Sequence, residues 1–200
     1  IRLGRALFDV QLKLVDMHFD GVASYSSPSR GLALLRKIYK ARAESPKHAA
    51  EAAYRISVCY RKGVGTKADE EKRAEWMKRA ADIGLLRARY FYARYQIEGT
   101  GVKVDKAAGI QTLEQLSREG LKLATLRLGG LLVEGVVEKE GQEELMSRLV
   151  SLAEKGEERA AGVLRQLGVD FLEPEIEEEP TRRLVEPDAA PKPGSGPAVL

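Results

Sequence analysis

The side chains best suited to recognition chemistry are arginines interleaved with aromatic residues between positions 87 and 95. Arginine holds carboxylates through paired hydrogen bonds and stacks on flat rings. Aromatic rings give apolar side chains or nucleic-acid bases a surface to pack on. The pattern favours an acidic peptide segment as the ligand, with RNA as a second interpretation and a solvated helix face as the plain alternative. The predicted binding residues are Arg55, Arg61, Arg87, Tyr90, Phe91, Arg94 and Arg127.

Residues that could carry out catalysis are sparse. The Gly-x-Gly pairs at 63–65 and 99–101 follow helical patterns and recur at a fixed spacing, so we interpret them as turns rather than phosphate-binding loops. Cys59 and His18 fall in apolar columns and are predicted to pack in the core, while His48 lies in a link between helices. No serine or cysteine has a nearby histidine and acid for nucleophilic catalysis. We therefore expect no enzymatic activity, cofactor, metal ion or small-molecule substrate.

A period of 36 residues defines the framework that must position these side chains. Two series of glycines recur at this spacing: Gly63, Gly99 and Gly135, and then Gly84, Gly120 and Gly156. Apolar positions recur in register with both series, which indicates a solenoid whose units bury their apolar faces on one another. We predict an all-α solenoid, or superhelix, of about four antiparallel helix pairs plus a C-terminal capping helix. The units lie at about 3–45, 50–84, 85–120 and 121–156, with the capping helix at 157–171 and a tail at 173–200.

Start and stop signals divide each unit into two helices. The glycines end the helices, and Asp69 and its counterpart 36 residues later can cap the N-termini of the second helices. In the first unit, Val10, Leu14 and Met17 fall in the core columns of the later first helices. Six extra residues, 43–48, are predicted to form a loop or kink before the second unit.

Charge is distributed unevenly along the chain. The net charge is +3, but residues 173–200 hold seven acids and three bases, so the remainder carries +7. Six of the eight prolines also lie there, and this composition predicts an extended or disordered tail. Because its sign is opposite to that of the arginine-bearing helices, we expect the tail to contact either the binding face or a basic partner. The residues expected to do so are Glu175, Glu177, Glu178 and Glu179.

Composition also bears on location. No apolar run approaches the ~18 residues that span a bilayer, so we expect no membrane insertion. A single cysteine fits a reducing intracellular compartment, mitochondrial or cytoplasmic. The chain begins at Ile1 rather than methionine, which indicates a processed form or a fragment and leaves the compartment open.

The second unit carries a recognisable combination of motifs. It has the run Ala52-Ala53-Tyr54, the turn Gly63-Val64-Gly65, Asp69 and the ending Ala80-Ala81-Asp82-Ile83-Gly84, with counterparts in the third and fourth units. This resembles the Sel-one-like repeat, a cousin of the tetratricopeptide repeat, over roughly residues 5–171. The resemblance implies a helical-pair scaffold without an activity of its own. We therefore expect a protein-interaction scaffold or adaptor within a larger assembly. A ribonucleoprotein subunit, such as one of a mitochondrial ribosome, and a regulatory activator of a membrane-bound enzyme are the open alternatives.

Overall fold

The computed structural model of the chain describes residues 2–21 and 26–171, and these residues are all-α, as predicted. The expected tail contacts of Glu175, Glu177, Glu178 and Glu179 lie outside the described residues. The described part holds nine helices and no strand. They are α1 (Arg2–Asp20), α2 (Pro28–Lys40), α3 (Pro46–Lys62), α4 (Glu70–Asp82), α5 (Leu86–Glu98), α6 (Lys106–Arg118), α7 (Lys122–Val133), α8 (Glu143–Glu154) and α9 (Glu158–Leu167).

The helices stack in pairs along the chain. Each helix up to α8 packs on its successor, and α1 also contacts α3, while α9 packs on both α7 and α8. The core is divided along the stack. One apolar cluster joins α1, α2 and α3, a second joins α3, α4 and α5, and a third extends from α5 to α9. Each unit therefore completes the core of its neighbour, which is the packing that defines a solenoid.

The predicted caps are present at the second helices of the middle units. The Asp69 carboxylate accepts a hydrogen bond from the Lys72 backbone N–H at 2.9 Å, and Asp105 accepts one from Ala108 at 3.0 Å. Each satisfies one of the free N–H groups of a helix N-terminus. The Lys72 bonds also hold the pKa of the Asp69 carboxyl below its ordinary value. The local signals in the sequence thus set where α4 and α6 begin.

The second glycine of each Gly-x-Gly pair makes the contact between units. Gly65 lies so close to the first turn of α2 that a β-carbon would overlap the carbonyl oxygen of Pro28. Gly101 lies in the same way against the carbonyl oxygen of Glu70, at the start of α4. Both glycines also have positive φ, 71° and 66° respectively. Only glycine meets both demands, so the pairs are inter-unit spacers as well as turns.

The expectation that Val10, Leu14 and Met17 lie in the core is wrong. Their side chains are 61%, 37% and 41% exposed, whereas Phe8 and Val15 of the same helix are buried. The equivalent residues of α3 are buried because the preceding helix pair covers them. No preceding pair covers α1 among the described residues, so the same column faces outward there.

The predicted loop or kink at 43–48 is only partly correct. The connection between α2 and α3 ends at Ser45, and α3 begins at Pro46, so the later inserted residues extend that helix. His48 therefore lies inside the first turn of α3, where it is buried, rather than in a link. Proline is favoured at this first helical position because its missing N–H would have no partner there.

Candidate functional site

A cleft of about 510 Å³ crosses the first helices of three consecutive units. Helix α3 supplies most of its lining, with Asp16 and Phe19 from α1 at one side and Arg87 from α5 at the other. We call this the first-helix cleft. The remaining lining residues are Glu51, Tyr54, Arg55, Val58, Cys59, Arg61, Lys62 and Val64. Apolar side chains and charged ones of both signs thus share one open surface.

Glu51 holds two of the predicted binding arginines in place. Arg55 donates from Nε to its carboxylate at 2.9 Å, and Arg87 donates to the other carboxylate oxygen. Arg55 also donates to Asp16 at 2.7 Å, so ion pairs connect α1, α3 and α5. Burial opposes the charge of Arg55, but the bonds and charges of Glu51 and Asp16 outweigh it and raise the pKa of the guanidinium. These arginines are therefore engaged inside the molecule.

Arg61 and Lys62 differ from them. Both are exposed at the C-terminal end of α3, and no carboxylate of the described residues lies within ion-pair distance of either. Four basic side chains of the cleft face two acidic ones, and the excess positive charge is therefore concentrated at Arg61 and Lys62. A partner's carboxylates would meet these two groups first.

The aromatic residues contribute to the wall more than to the open surface. The guanidinium carbon of Arg87 lies 4.1 Å from the centre of the Tyr54 ring. The ring centroids of Tyr54 and Phe91 are 6.3 Å apart. Tyr90 is only 9% exposed, and Phe91 is half-buried between two core clusters. Both predicted binding residues are thus mainly packing residues.

Arg94 and Arg127 lie apart from the cleft. Arg94 pairs with Glu98 at 2.9 Å, one turn along α5, and Arg127 pairs with Glu134 at 2.7 Å. Of the column shared by Arg55, Phe91 and Arg127, Arg55 alone lines the cleft. Of the seven predicted residues, the cleft brings together Arg55, Arg61 and Arg87.

A buried hydroxyl lies in a narrow extension of the cleft. Ser57 is 1% exposed, and its Oγ has no hydrogen-bond partner among the described residues. The extension shares Tyr54, Val58 and Arg61 with the cleft and has a volume of about 10 Å³, roughly the space of one water molecule. A bound water or a small polar group there would satisfy the hydroxyl.

Sequence reasoning missed Asp16, Glu51 and Ser57. A signal for one of them was available: Glu51 and Arg87 are 36 residues apart, so they occupy the same column of consecutive units. Residues of one column stack next to each other in a solenoid. Opposite charges one period apart therefore predict an ion pair between units.

Comparison with known proteins identifies the repeat. The family model of the Sel1 repeat matches residues 50–85 and 86–120. Residues 50–120 are thus similar to two Sel1 repeats. The matched segments contain most of α3 and all of α4 to α6, and with them most of the first-helix cleft. The sequence-based resemblance is confirmed, and Sel1 repeat proteins generally mediate protein–protein interactions.

Two solved structures are similar to this chain. A Sel1 repeat protein from Oxalobacter formigenes superposes with a TM-score of 0.65 at 18% identity, covering 82% of this chain and 68% of that one. The second is c5321, a protective antigen of uropathogenic Escherichia coli strains with an SLR fold. It has a TM-score of 0.46 at 16% identity and covers 80% of this chain and 46% of that one. No curated protein matches this chain. The first likeness shows the fold alone and confirms the predicted α-solenoid.

One polar cluster outside the matched Sel1 segments contradicts the expectation that serine, histidine and acid do not meet. Ser45 Oγ lies 2.6 Å from His48 Nδ1, and His48 Nε2 lies 2.9 Å from Asp9 Oδ1. Ser45 and His48 are buried, and His48 stacks on Phe8 at 5.4 Å. None of the three polar residues lines the cleft. The cluster fastens the start of α3 to α1.

Cys59 and His18 lie in the interior of the stack. Cys59 is buried, as predicted, and burial raises the pKa of its thiol to about 11, so it is protonated at neutral pH. His18 is likewise buried, as predicted. Within residues 2–21 and 26–171, no group of histidine, cysteine and acidic side chains could hold a metal ion. No helix of this part is long and apolar enough to span a bilayer.

Proposed function

We propose that this protein is a non-enzymatic interaction scaffold whose first-helix cleft holds an extended acidic and apolar segment of a partner protein. The observation that carries the proposal is the pair Arg61 and Lys62, which are exposed and lack ion-pair partners among the described residues. Phe19, Tyr54 and Val58 line the same cleft and offer apolar surface beside these charges. An acidic residue next to an apolar one would match both.

The ion pairs of the cleft support a preorganised site. Arg55 and Arg87 are already fixed by Glu51, so little side-chain entropy is lost when a segment packs on them. Arg61 and Lys62 pay more for ordering but provide the long-range attraction that brings acidic segments to the cleft. Arg55 and Arg87 thus shape the cleft, and Arg61 and Lys62 make it select acidic ligands.

A displayed library of random twelve-residue peptides tests this on the full chain. We expect enrichment of peptides that combine acidic and apolar residues. The double variant Arg61→Glu, Lys62→Glu should lower the affinity for the selected peptides about tenfold. Each exposed ion pair contributes ~0–1 kcal/mol, and the charge reversal adds repulsion. Lys103→Glu, Lys106→Glu is the matched control, because these lysines are exposed but lie outside the cleft.

RNA binding is the competing outcome. A single-stranded RNA probe would then bind the chain with a steep salt dependence, and the Arg61→Glu, Lys62→Glu variant would lose this binding. That result would mean that the cleft binds phosphate groups rather than an acidic peptide. Enrichment of basic or charge-free peptides would refute the proposed use of Arg61 and Lys62. Assembly into a larger complex is the biological setting we propose for either ligand.

A further inference from the structure

Helix α1 exposes a continuous apolar stripe on the outer end of the stack. Leu7, Val10, Leu14 and Met17 are 55%, 61%, 37% and 41% exposed. Their spacing of three, four and three residues places them on one side of the helix. Phe8 and Val15, on another side, are buried against α2 and α3. We call the four exposed residues the α1 end face.

This face continues the interface that already joins the units. A shift of 42 residues, which aligns the first unit with the second, places the four residues on buried positions of α3. These are Ala49, Ala52, Ile56 and Cys59. Three of them belong to the cluster that α1 and α2 complete. The α1 end face is therefore the surface on which a solenoid unit receives its neighbour.

The two ends of the described stack differ. At the other end, α9 turns Arg159, Arg165 and Gln166 to solvent, in keeping with the polar outer face that terminal units require. Within residues 2–21 and 26–171, no such polar cover lies over the α1 end face. A cluster of large exposed apolar side chains marks an interaction surface. Something that supplies a complementary apolar helix would complete the stack.

We propose that the α1 end faces of two copies of this chain pack antiparallel about a two-fold axis. The stripe has the same spacing read in either direction, so an antiparallel second copy can set each of its apolar residues opposite another, in the reciprocal pairing of a two-fold interface. Leu7 would lie opposite Met17 of the second copy, and Val10 opposite Leu14. The exposed side chains of Lys13 and Asp20 border the stripe and form a polar rim. This interface goes beyond the proposed cleft function, and none of the four residues of the α1 end face lines the cleft.

Sedimentation equilibrium of the full chain tests the interface. We expect a concentration-dependent dimer, with the dissociation constant raised at least tenfold by Val10→Glu, Leu14→Glu. Because both side chains are exposed in the single copy, thermal unfolding of the dilute variant should stay close to that of the wild type. The variant Leu86→Glu, Val133→Glu replaces apolar side chains of similar exposure elsewhere and should leave the dimer unchanged.

Disulfide cross-linking tests the register. In a Cys59→Ala background, Leu7→Cys chains mixed with Met17→Cys chains should cross-link on oxidation, whereas either variant alone should not. Cross-linking of Leu7→Cys with itself would show a parallel arrangement and overturn the proposed one. A chain that stays monomeric at the highest concentrations, or a dimer that survives Val10→Glu, Leu14→Glu, would overturn the interface itself.

Discussion

Glu51 carries more of the site than any single basic residue. Its carboxylate is the meeting point of Arg55 from its own helix and Arg87 from the next unit. It is half-buried, so these pairs are less screened by solvent than those on the open surface. The same carboxylate also cancels part of the positive charge that the cleft would otherwise offer to a ligand. Glu51 therefore stabilises the fold and at the same time lowers the affinity of the cleft for acidic ligands.

Glu51→Gln should separate these two effects. The amide keeps the shape but loses the charge, and we expect the free energy of unfolding to fall by about 1–2 kcal/mol. Binding of the acidic peptides selected on the cleft should become tighter, because one of the two opposing negative charges is gone. Urea unfolding and fluorescence anisotropy measure the two quantities. Glu75→Gln, which removes a pair with Arg79 within α4, should change stability by ~0.5 kcal/mol or less and leave binding unaltered.

At the scale of helices, the first helices are joined by ion pairs as well as by apolar contacts. Asp16 of α1 pairs with Arg55 of α3, and Glu51 of α3 pairs with Arg87 of α5. Lys122 at the start of α7 pairs with Glu157, which directly precedes α9. Three basic side chains of the first helices, Arg55, Arg87 and Lys122, therefore form ion pairs between units. Only the part that remains unpaired is available for recognition.

The spacer glycines make a sharp prediction about the joint between the second and third units. Gly101→Ala and Gly135→Ala both place a β-carbon at nearly the same positive φ, 66° and 68°. At Gly135 the β-carbon meets nothing within 4 Å, so only the strain of about 1–2 kcal/mol applies. At Gly101 it also overlaps the backbone of Glu70, and we expect a loss of about 3 kcal/mol or more.

Urea unfolding followed by circular dichroism distinguishes the two variants. Each unit is stabilised by its neighbours, so weakening the contact between the second and third units makes unfolding less cooperative. The slope of the unfolding transition should therefore also fall in Gly101→Ala. The Gly135→Ala transition should keep the slope of the wild type. Equal losses in both variants would mean that Gly101 is only a turn residue.

The 36-residue period predicts some features of the fold and cannot predict others. The period predicts features that recur, such as the Asp69 and Asp105 caps and the glycine stops, because they depend on neighbours along the chain. It does not distinguish an end of the stack from its middle, which is why Val10 and Leu14 were expected in the core. It also leaves out contacts specific to one place, such as that of His48 with Asp9.

The sequence predicts the surroundings of the candidate binding residues less fully than the fold, for a related reason. A pattern of arginines shows where positive charge lies but not which carboxylates neutralise it. Arg94 and Arg127 are paired with acids four and seven residues away, whereas Arg61 has no such partner among the described residues. The pairing depends on side-chain conformations and on contacts between helices. The arginine pattern alone therefore does not distinguish paired side chains from unpaired ones.

The whole chain combines a basic solenoid with an acidic C-terminal segment. Residues 173–200 carry a net charge of −4, and 173–179 has the composition that the cleft is proposed to bind, with five glutamates around Ile176. We propose that this segment occupies the first-helix cleft and competes with partner segments. Each exposed ion pair contributes ~0–1 kcal/mol, so only several acting together would hold it, and added salt would release it.

Carbodiimide coupling of the full chain tests this directly, because it joins a lysine amine only to a carboxylate in contact with it. At low salt we expect mass spectrometry to find Lys62 coupled to Glu175, Glu177, Glu178 or Glu179, and the products should disappear at high salt. Lys62→Arg keeps the positive charge but cannot be coupled, so it confirms the assignment. Replacing the four glutamates by glutamine should in turn strengthen binding of the selected peptides. If the tail couples to Lys103 and Lys106 as readily as to Lys62, its contact with the solenoid is non-specific, and the competition with partners fails with it.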